Sequence, residues 1–264
     1  MPKYKRDLKE IDNFVFDLDW TVWHWNKLAP GVKDTIRELK SKGKNIYYIT
    51  NNSLLSRKGF ADKLSNLGIN TEKEDVVCSP HVAAEVFADN DISKAYVIGE
   101  EPLINVLESE DIKTSKNAEH VLIGADRNFN YWKLAKAAEL VRDGSKLWTL
   151  GAGTNFKAGD RVLPGDMPII NAVKTAAKVD SHEMLGKPSE YMKKIVEDEF
   201  SLRPGKTIVI GDHIETDIAF GNKLGAKTGL VLGGESSRSD LKDIDEKNAP
   251  DFVFKKFERI LMKV

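Results

Sequence analysis

Disulfide chemistry is closed to this chain. Its 264 residues include a single cysteine, Cys78, which has no internal partner and stands in no CxxC arrangement suited to zinc or redox work. It reads as a small buried residue. Long apolar runs are missing as well. No stretch approaches the roughly 18 residues of a membrane span, and the polar opening MPKYKRDLKEIDN lacks the apolar core of a signal peptide. The expectation is a cytoplasmic protein with no membrane partner. Net charge is almost absent, −1 from 40 basic and 41 acidic residues, so no global field draws the chain toward nucleic acid. The five histidines are scattered and no HxxH spacing marks a metal site.

What the chain does have is regular alternation. FVFDL (14–18) is a continuous apolar run, as in a strand buried on both faces. PGVKDTIRELKSKG follows with helical spacing at Val32, Ile36 and Leu39, a proline near its start and Gly43 at its stop. NIYYITNN (45–52) reads as the next strand and RKGFADKLSNLG (57–68) as the next helix. Further strands are expected at 95–100, 120–126, 146–151, 206–212 and 227–234. Helices are expected at 101–110, 130–144, 167–178 and 214–225, and in the second half of 183–200. The chain closes on a strand and a helix within 251–264. This order implies an α/β fold, a Rossmann-like doubly wound parallel sheet. The strands are too numerous for one small sheet, so an inserted α/β cap domain is expected at 79–183, with 1–78 and 184–264 forming the core.

In an open parallel sheet, chemistry gathers outside the carboxyl ends of the strands. Four such ends carry polar residues suited to a phosphate site. The first carries Asp17 and Asp19, and the second Thr50, Asn51, Asn52 and Ser53. The GKPS segment carries Lys187, and KTIVIGD carries Asp212, with Asp217 one helical turn later. A single acid after a strand is commonly a turn or helix cap. Two acids flanking Leu18 and a third ending another strand are costly to bring together without a cation. Mg²⁺ accepts one or two carboxylates plus waters and phosphate. Thr50 and Asn51 offer a hydroxyl and a backbone N–H near a helix start. Lys187, bracketed by Gly186 and Pro188, offers a compact positive charge.

These segments, in this order, resemble the four motifs of the haloacid-dehalogenase-like (HAD) phosphatase superfamily: FDLDWTV, ITNNS, GKPS and GDHIETDIAFGNKLGAKTGLVLGG. TNNS, GADRNFNYWKLAKAAELVRDG and VLPGDMPIINAV resemble its NagD-type, 4-nitrophenylphosphatase branch, which carries a large α/β cap. The resemblance implies a Mg²⁺-dependent phosphomonoesterase for a small phosphorylated metabolite. Asp17 would be the nucleophile that becomes an aspartyl-phosphate, and Asp19 the general acid and base. Asp17, Asp212 and the Asp19 carbonyl would hold Mg²⁺. Thr50, Asn51, Asn52 and Lys187 would hold the phosphoryl group, and Asp217 would support Lys187 or a metal-bound water. Caps of this type can pair, so the state is monomer or homodimer.

Two departures from the family pattern stand out. Trp20 and Trp25 occupy positions where related enzymes usually have glycine, within a flap that also holds Trp23. The indoles are either packing residues, or at least one narrows the entrance. In the cap, LGAG (150–153) stands where relatives often carry a polar TNPD-like loop. A substrate preference different from that of the better-known relatives is therefore expected. Two readings from other classes remain open: a phosphoaspartate receiver-like signalling protein, and a catalytically impaired phosphoester-binding protein. A dehalogenase would need neither Asp19 nor Asp212.

Overall fold

The structure, a computed structural model, describes residues 7–158, 161–242 and 244–264. Packing divides the chain into two compact units. One comprises the residues through Thr50, Phe60–Val77 and Lys193–Val264, and the other comprises Asn51–Gly59 and Cys78–Met192.

The first unit is built on a six-stranded sheet. Its order is Phe252–Phe254, Lys227–Val231, Thr207–Gly211, Asn13–Asp17, Asn45–Thr50, Val76–Cys78. The pairings from Phe252 across to Thr50 are parallel. The Asn13–Asp17 strand lies in the interior of the sheet and is buried at every residue, as its unbroken apolar run requires. On the helix Val32–Ser41 the apolar spacing read from sequence becomes the packed face, with Val32, Thr35, Ile36 and Leu39 buried. Cys78 is a buried thiol outside any disulfide.

Two segments expected to be α-helical wind differently. Ile214–Ile218 is a π-turn that leads into the helix Ala219–Lys223. The widened turn lets the Asp217 and Ile218 amides both reach the His213 carbonyl, at 2.9 and 3.3 Å. The C-terminal Phe257–Lys263 is a 3₁₀ helix whose buried residues, Phe257 and Ile260, are three apart. That spacing suits three residues per turn.

The second unit has its own parallel sheet, ordered Glu183–Met184, Lys146–Thr149, His120–Ile123, Lys94–Ile98, Lys113–Thr114. Helices Tyr131–Arg142 and Asp166–Ala177 cover it through a core that includes Val121, Ile123, Ala137, Ile170 and Val173. Several described elements of this unit come in addition to those expected, among them the short strand Lys113–Thr114. The helix Ser79–Asp89 buries seven of its eleven residues, so little polar face marks its period in the sequence. The antiparallel pair Asn155–Ala158 and Arg161–Pro164 is short. No helix among the described residues is long and apolar enough to cross a membrane.

Candidate active site

The first unit brings three acids together. Carboxylate oxygens of Asp17, Asp212 and Asp217 all lie within 4.8 Å of one another, and all three residues are buried. Asp17 ends its strand at the carboxyl edge, and Asp212 directly follows the Thr207–Gly211 strand that pairs beside it. Converging buried carboxylates repel and lose hydration. Their oxygen-only donor set is the one a hard divalent cation selects, so these residues fit a Mg²⁺ site.

Asp212 is held from several sides. Its Oδ1 accepts the Thr21 hydroxyl at 3.2 Å, and its Oδ2 accepts the Glu235 amide at 2.7 Å. Asp217 has a second task that sequence reasoning missed. Its Oδ2 accepts the backbone N–H groups of both Asp212 and His213, each at 3.1 Å. The carboxylate thereby fixes the loop that presents Asp212. Gly211 is necessary to this contact, because a Cβ there would lie 2.2 Å from the Asp217 carboxyl carbon.

Asp19 lies outside that three-carboxylate group. Its Oδ1 accepts the indole N–H of Trp23 at 2.9 Å. Trp20 and Trp25 take left-handed backbone conformations, φ 63° and 60°, the region glycine enters most readily. The Trp20 ring stacks on His24 with centroids 4.8 Å apart, whereas Trp25 is 49% exposed. Trp23 is fully buried against Phe60. Thr50, also buried, ends the strand paired with Asn13–Asp17 on its other side.

Asn51 and Lys187 meet in the second unit. The Asn51 side chain accepts the Lys187 N–H at 2.6 Å and donates to the Lys187 carbonyl at 3.0 Å, pairing with the lysine main chain as a strand neighbour does. The Asn51 carbonyl in turn accepts the Ser79 hydroxyl at 2.8 Å. Lys187 is 2% exposed and is joined to Pro188 by a cis peptide bond. Gly186 permits the clamp, since a Cβ there would lie 2.1 Å from the Leu150 carbonyl and 2.6 Å from Asn51 Oδ1. Asn52 accepts the Leu54 N–H at 2.9 Å, a local turn contact, and Ser53 Oγ accepts the Ala125 N–H at 2.9 Å.

The same unit contains a cavity of about 400 Å³ lined chiefly by apolar groups, among them Leu54, Phe129, Phe156, Leu163 and Ile169. Its charged lining residues, Asp126 and Arg127, are engaged. Arg127 forks onto Glu100 at 2.6 Å through two nitrogens, and Asp126 pairs with Lys133 at 2.6 Å. The glycine loop runs close by in the fold of this unit. A Cβ on Gly151 would lie 3.0 Å from Asp166 Oδ2 and 3.6 Å from Asn51 Cβ. Burial pushes the Asp166 carboxyl up to about 7 from its ordinary 3.8. Asp166 was not among the residues singled out from sequence, where it reads as an ordinary first-turn acid.

Comparison with known proteins agrees with this architecture. The haloacid dehalogenase-like hydrolase family matches residues 14–113, and a second HAD-hydrolase-like model matches residues 184–260. The chain is 31% identical to chloroplastic phosphoglycolate phosphatase 1A of Arabidopsis thaliana, over 96% of this chain and 77% of that protein. It is 29% identical to glycerol-3-phosphate phosphatase of Rattus norvegicus, over 94% of this chain and 86% of that one. The crystal structure of 4-nitrophenylphosphatase from Thermotoga maritima matches it with a TM-score of 0.89 at 27% identity, covering 97% of this chain and 98% of that one. The chain belongs to the haloacid dehalogenase-like hydrolase family, in its NagD-type phosphatase branch.

Proposed function

We propose that this chain is a Mg²⁺-dependent phosphomonoesterase acting on a small phosphorylated metabolite, with Asp17 as nucleophile and Asp19 as general acid and base. The observation that carries the reading is the buried meeting of Asp17, Asp212 and Asp217. Asp19 stands apart from that group with its carboxylate on an indole N–H. Mg²⁺, when bound by Asp17, Asp212 and the Asp19 carbonyl, neutralises charge on the phosphoryl oxygens.

The chain's own groups do the rest. A carboxylate oxygen of Asp17 forms a bond to phosphorus as the ester P–O bond breaks, giving an aspartyl-phosphate. The departing oxygen takes the proton of Asp19. Asp19 then removes a proton from water as that water attacks phosphorus, releasing phosphate and restoring Asp17. Thr50, Asn51 and Lys187 bind the phosphoryl oxygens. The lysine supplies charge, and Asn51 contributes through its main chain, because its side-chain amide is engaged with Lys187. Residues 1–78 and 184–264 supply the chemistry and residues 79–183 select the ester, in a cytoplasmic monomer or homodimer.

The apolar cavity belongs to the same unit as Asn51 and Lys187, and we take it as the seat of the substrate's alcohol half. The one cation in that cavity's lining, Arg127, is already neutralised by Glu100, so an ester bearing its own carboxylate, as phosphoglycolate does, would find no free counter-charge there. An uncharged apolar or aromatic alcohol fits the lining. The test is phosphate release with Mg²⁺ from 4-nitrophenyl phosphate, benzyl phosphate and phosphoglycolate. Turnover of the first two above the third, lost on chelation and in Asp17→Asn, is expected. Metal-independent turnover, or full activity in Asp17→Asn, would overturn the reading.

A further inference from the structure

We propose that Trp23 is the positioning residue for the proton-transfer acid: its indole N–H binds Oδ1 of Asp19 and so fixes the direction in which that carboxyl points. The inference rests on the reading of Asp19 as general acid.

An indole nitrogen donates and cannot accept. The oxygen it holds must therefore act as an acceptor, whether the carboxyl is ionised or protonated. Without that bond the carboxyl loses an anchor on its orientation.

The surroundings make the indole a rigid post. Trp23 has no exposed surface, and its ring stacks on Phe60 with an interplanar angle of 14°. Lys63 Nζ lies 4.0 Å from the Trp23 ring centroid and donates to the Trp25 carbonyl at 3.0 Å. A cation on the ring face draws electron density from the indole and strengthens its N–H as a donor. The Asp19 carboxylate acts on Lys63 in turn, offsetting part of the downward pull that burial exerts on the lysine.

The backbone delivers the indole to the acid four residues earlier in the chain. The amides of Val22 and Trp23 both bond the Leu18 carbonyl, at 2.9 and 3.1 Å, and the Trp20 amide bonds the Trp23 carbonyl at 2.8 Å. Trp20 takes its left-handed conformation within this tight turn.

The experiment compares Trp23→Phe with wild type on two esters. 4-Nitrophenolate leaves with little protonation, whereas an alkoxide needs the acid. Positioned general acids contribute about 10²–10⁴ in rate. The expected result is a fall in kcat/KM, which reports the step in which the leaving group departs and not the shared hydrolysis of the aspartyl-phosphate, of about 10–100-fold on an alkyl phosphate, with at most a few-fold change in kcat/KM on 4-nitrophenyl phosphate. Equal losses on both esters, or none, overturn the proposal. Asp17→Asn must abolish both activities, and its failure to do so refutes the phosphatase reading instead. If Asp19→Asn spares the alkyl ester, the acid assignment falls and the proposal with it. Should Trp23→Phe not fold, ¹⁵N-labelled wild type supplies the answer. The Trp23 indole proton resonance is expected to be slow to exchange and to move upfield in Asp19→Ala. An unmoved resonance overturns the proposal.

Discussion

Replacing Asp166 by asparagine should abolish much of the loss of stability on passing from acid to mildly alkaline pH. The carboxyl is raised from 3.8 to about 7 by burial alone. A raised acid holds its proton more tightly folded than unfolded, so stability falls as pH climbs from about 4 and levels off above about 7. At about 1.36 kcal/mol per unit, the two units between pH 5 and pH 7 cost about 2.7 kcal/mol. Two features reduce this. Asp166 keeps part of its surface in water and opens the helix Asp166–Ala177, where a negative charge gains about 0.3–1 kcal/mol. The net expectation is about 2 kcal/mol. Asparagine imitates the neutral carboxyl in shape and polarity without titrating. Urea unfolding of wild type and Asp166→Asn at pH 5, 6, 7 and 8, followed by circular dichroism, measures the difference. With a slope of about 3 kcal/mol/M for a chain of this size, the midpoint gap should widen by about 0.7 M between pH 5 and 8, in favour of the variant. Parallel pH profiles would mean that the acid is solvated, and would refute the reasoning.

Other outcomes follow from the same geometry. At position 25 the usual order of residues should reverse. With φ at 60°, Trp25→Gly is expected to be more stable than Trp25→Ala by about 1 kcal/mol in thermal unfolding, because only alanine retains the left-handed penalty. Asn51→Asp keeps the acceptor for the Lys187 amide but turns an oxygen toward its carbonyl. A loss of about 2 kcal/mol in denaturant unfolding is expected, together with weakened competitive inhibition by inorganic phosphate. Millimolar Mg²⁺ should raise the melting temperature of wild type and fail to do so in Asp212→Asn, since a ligand that binds only the folded chain stabilises it by mass action. Calorimetric scans with and without EDTA decide that point.

Much of this was legible in the sequence where residue type and position constrain each other tightly. The buried run Phe14–Phe16 admits little but an interior strand, and acids at its end and after Gly211 are hard to reconcile with mere solvation. The order of motifs led to the family, and the glycines at 151 and 153 marked the loop beside Asp166. Contacts across long separations were not legible. Nothing local to Asn51 announces that its amide grips a main chain 136 positions away. Asp217 was expected to serve Lys187 or a metal-bound water; that its carboxylate also accepts two backbone amides was not legible, because the π-turn that brings them together has a periodicity the sequence cannot distinguish from an ordinary helix. The tryptophans posed the opposite problem. Their bulk argued for packing, yet one N–H per indole is a polar handle, and which of the three would find an acid depended on a tight turn through the left-handed Trp20.

The grip of Asn51 on Lys187 has a bearing on how substrate choice can drift over generations. The clamp, the glycine loop and the apolar cavity all belong to one packed body. A mutation that reshapes the cavity for a new alcohol therefore strains the same scaffold that aims the ammonium group. Changes of taste in such a protein should come through side chains that enlarge or fill the hollow, and seldom through insertions that would drag the lysine off target.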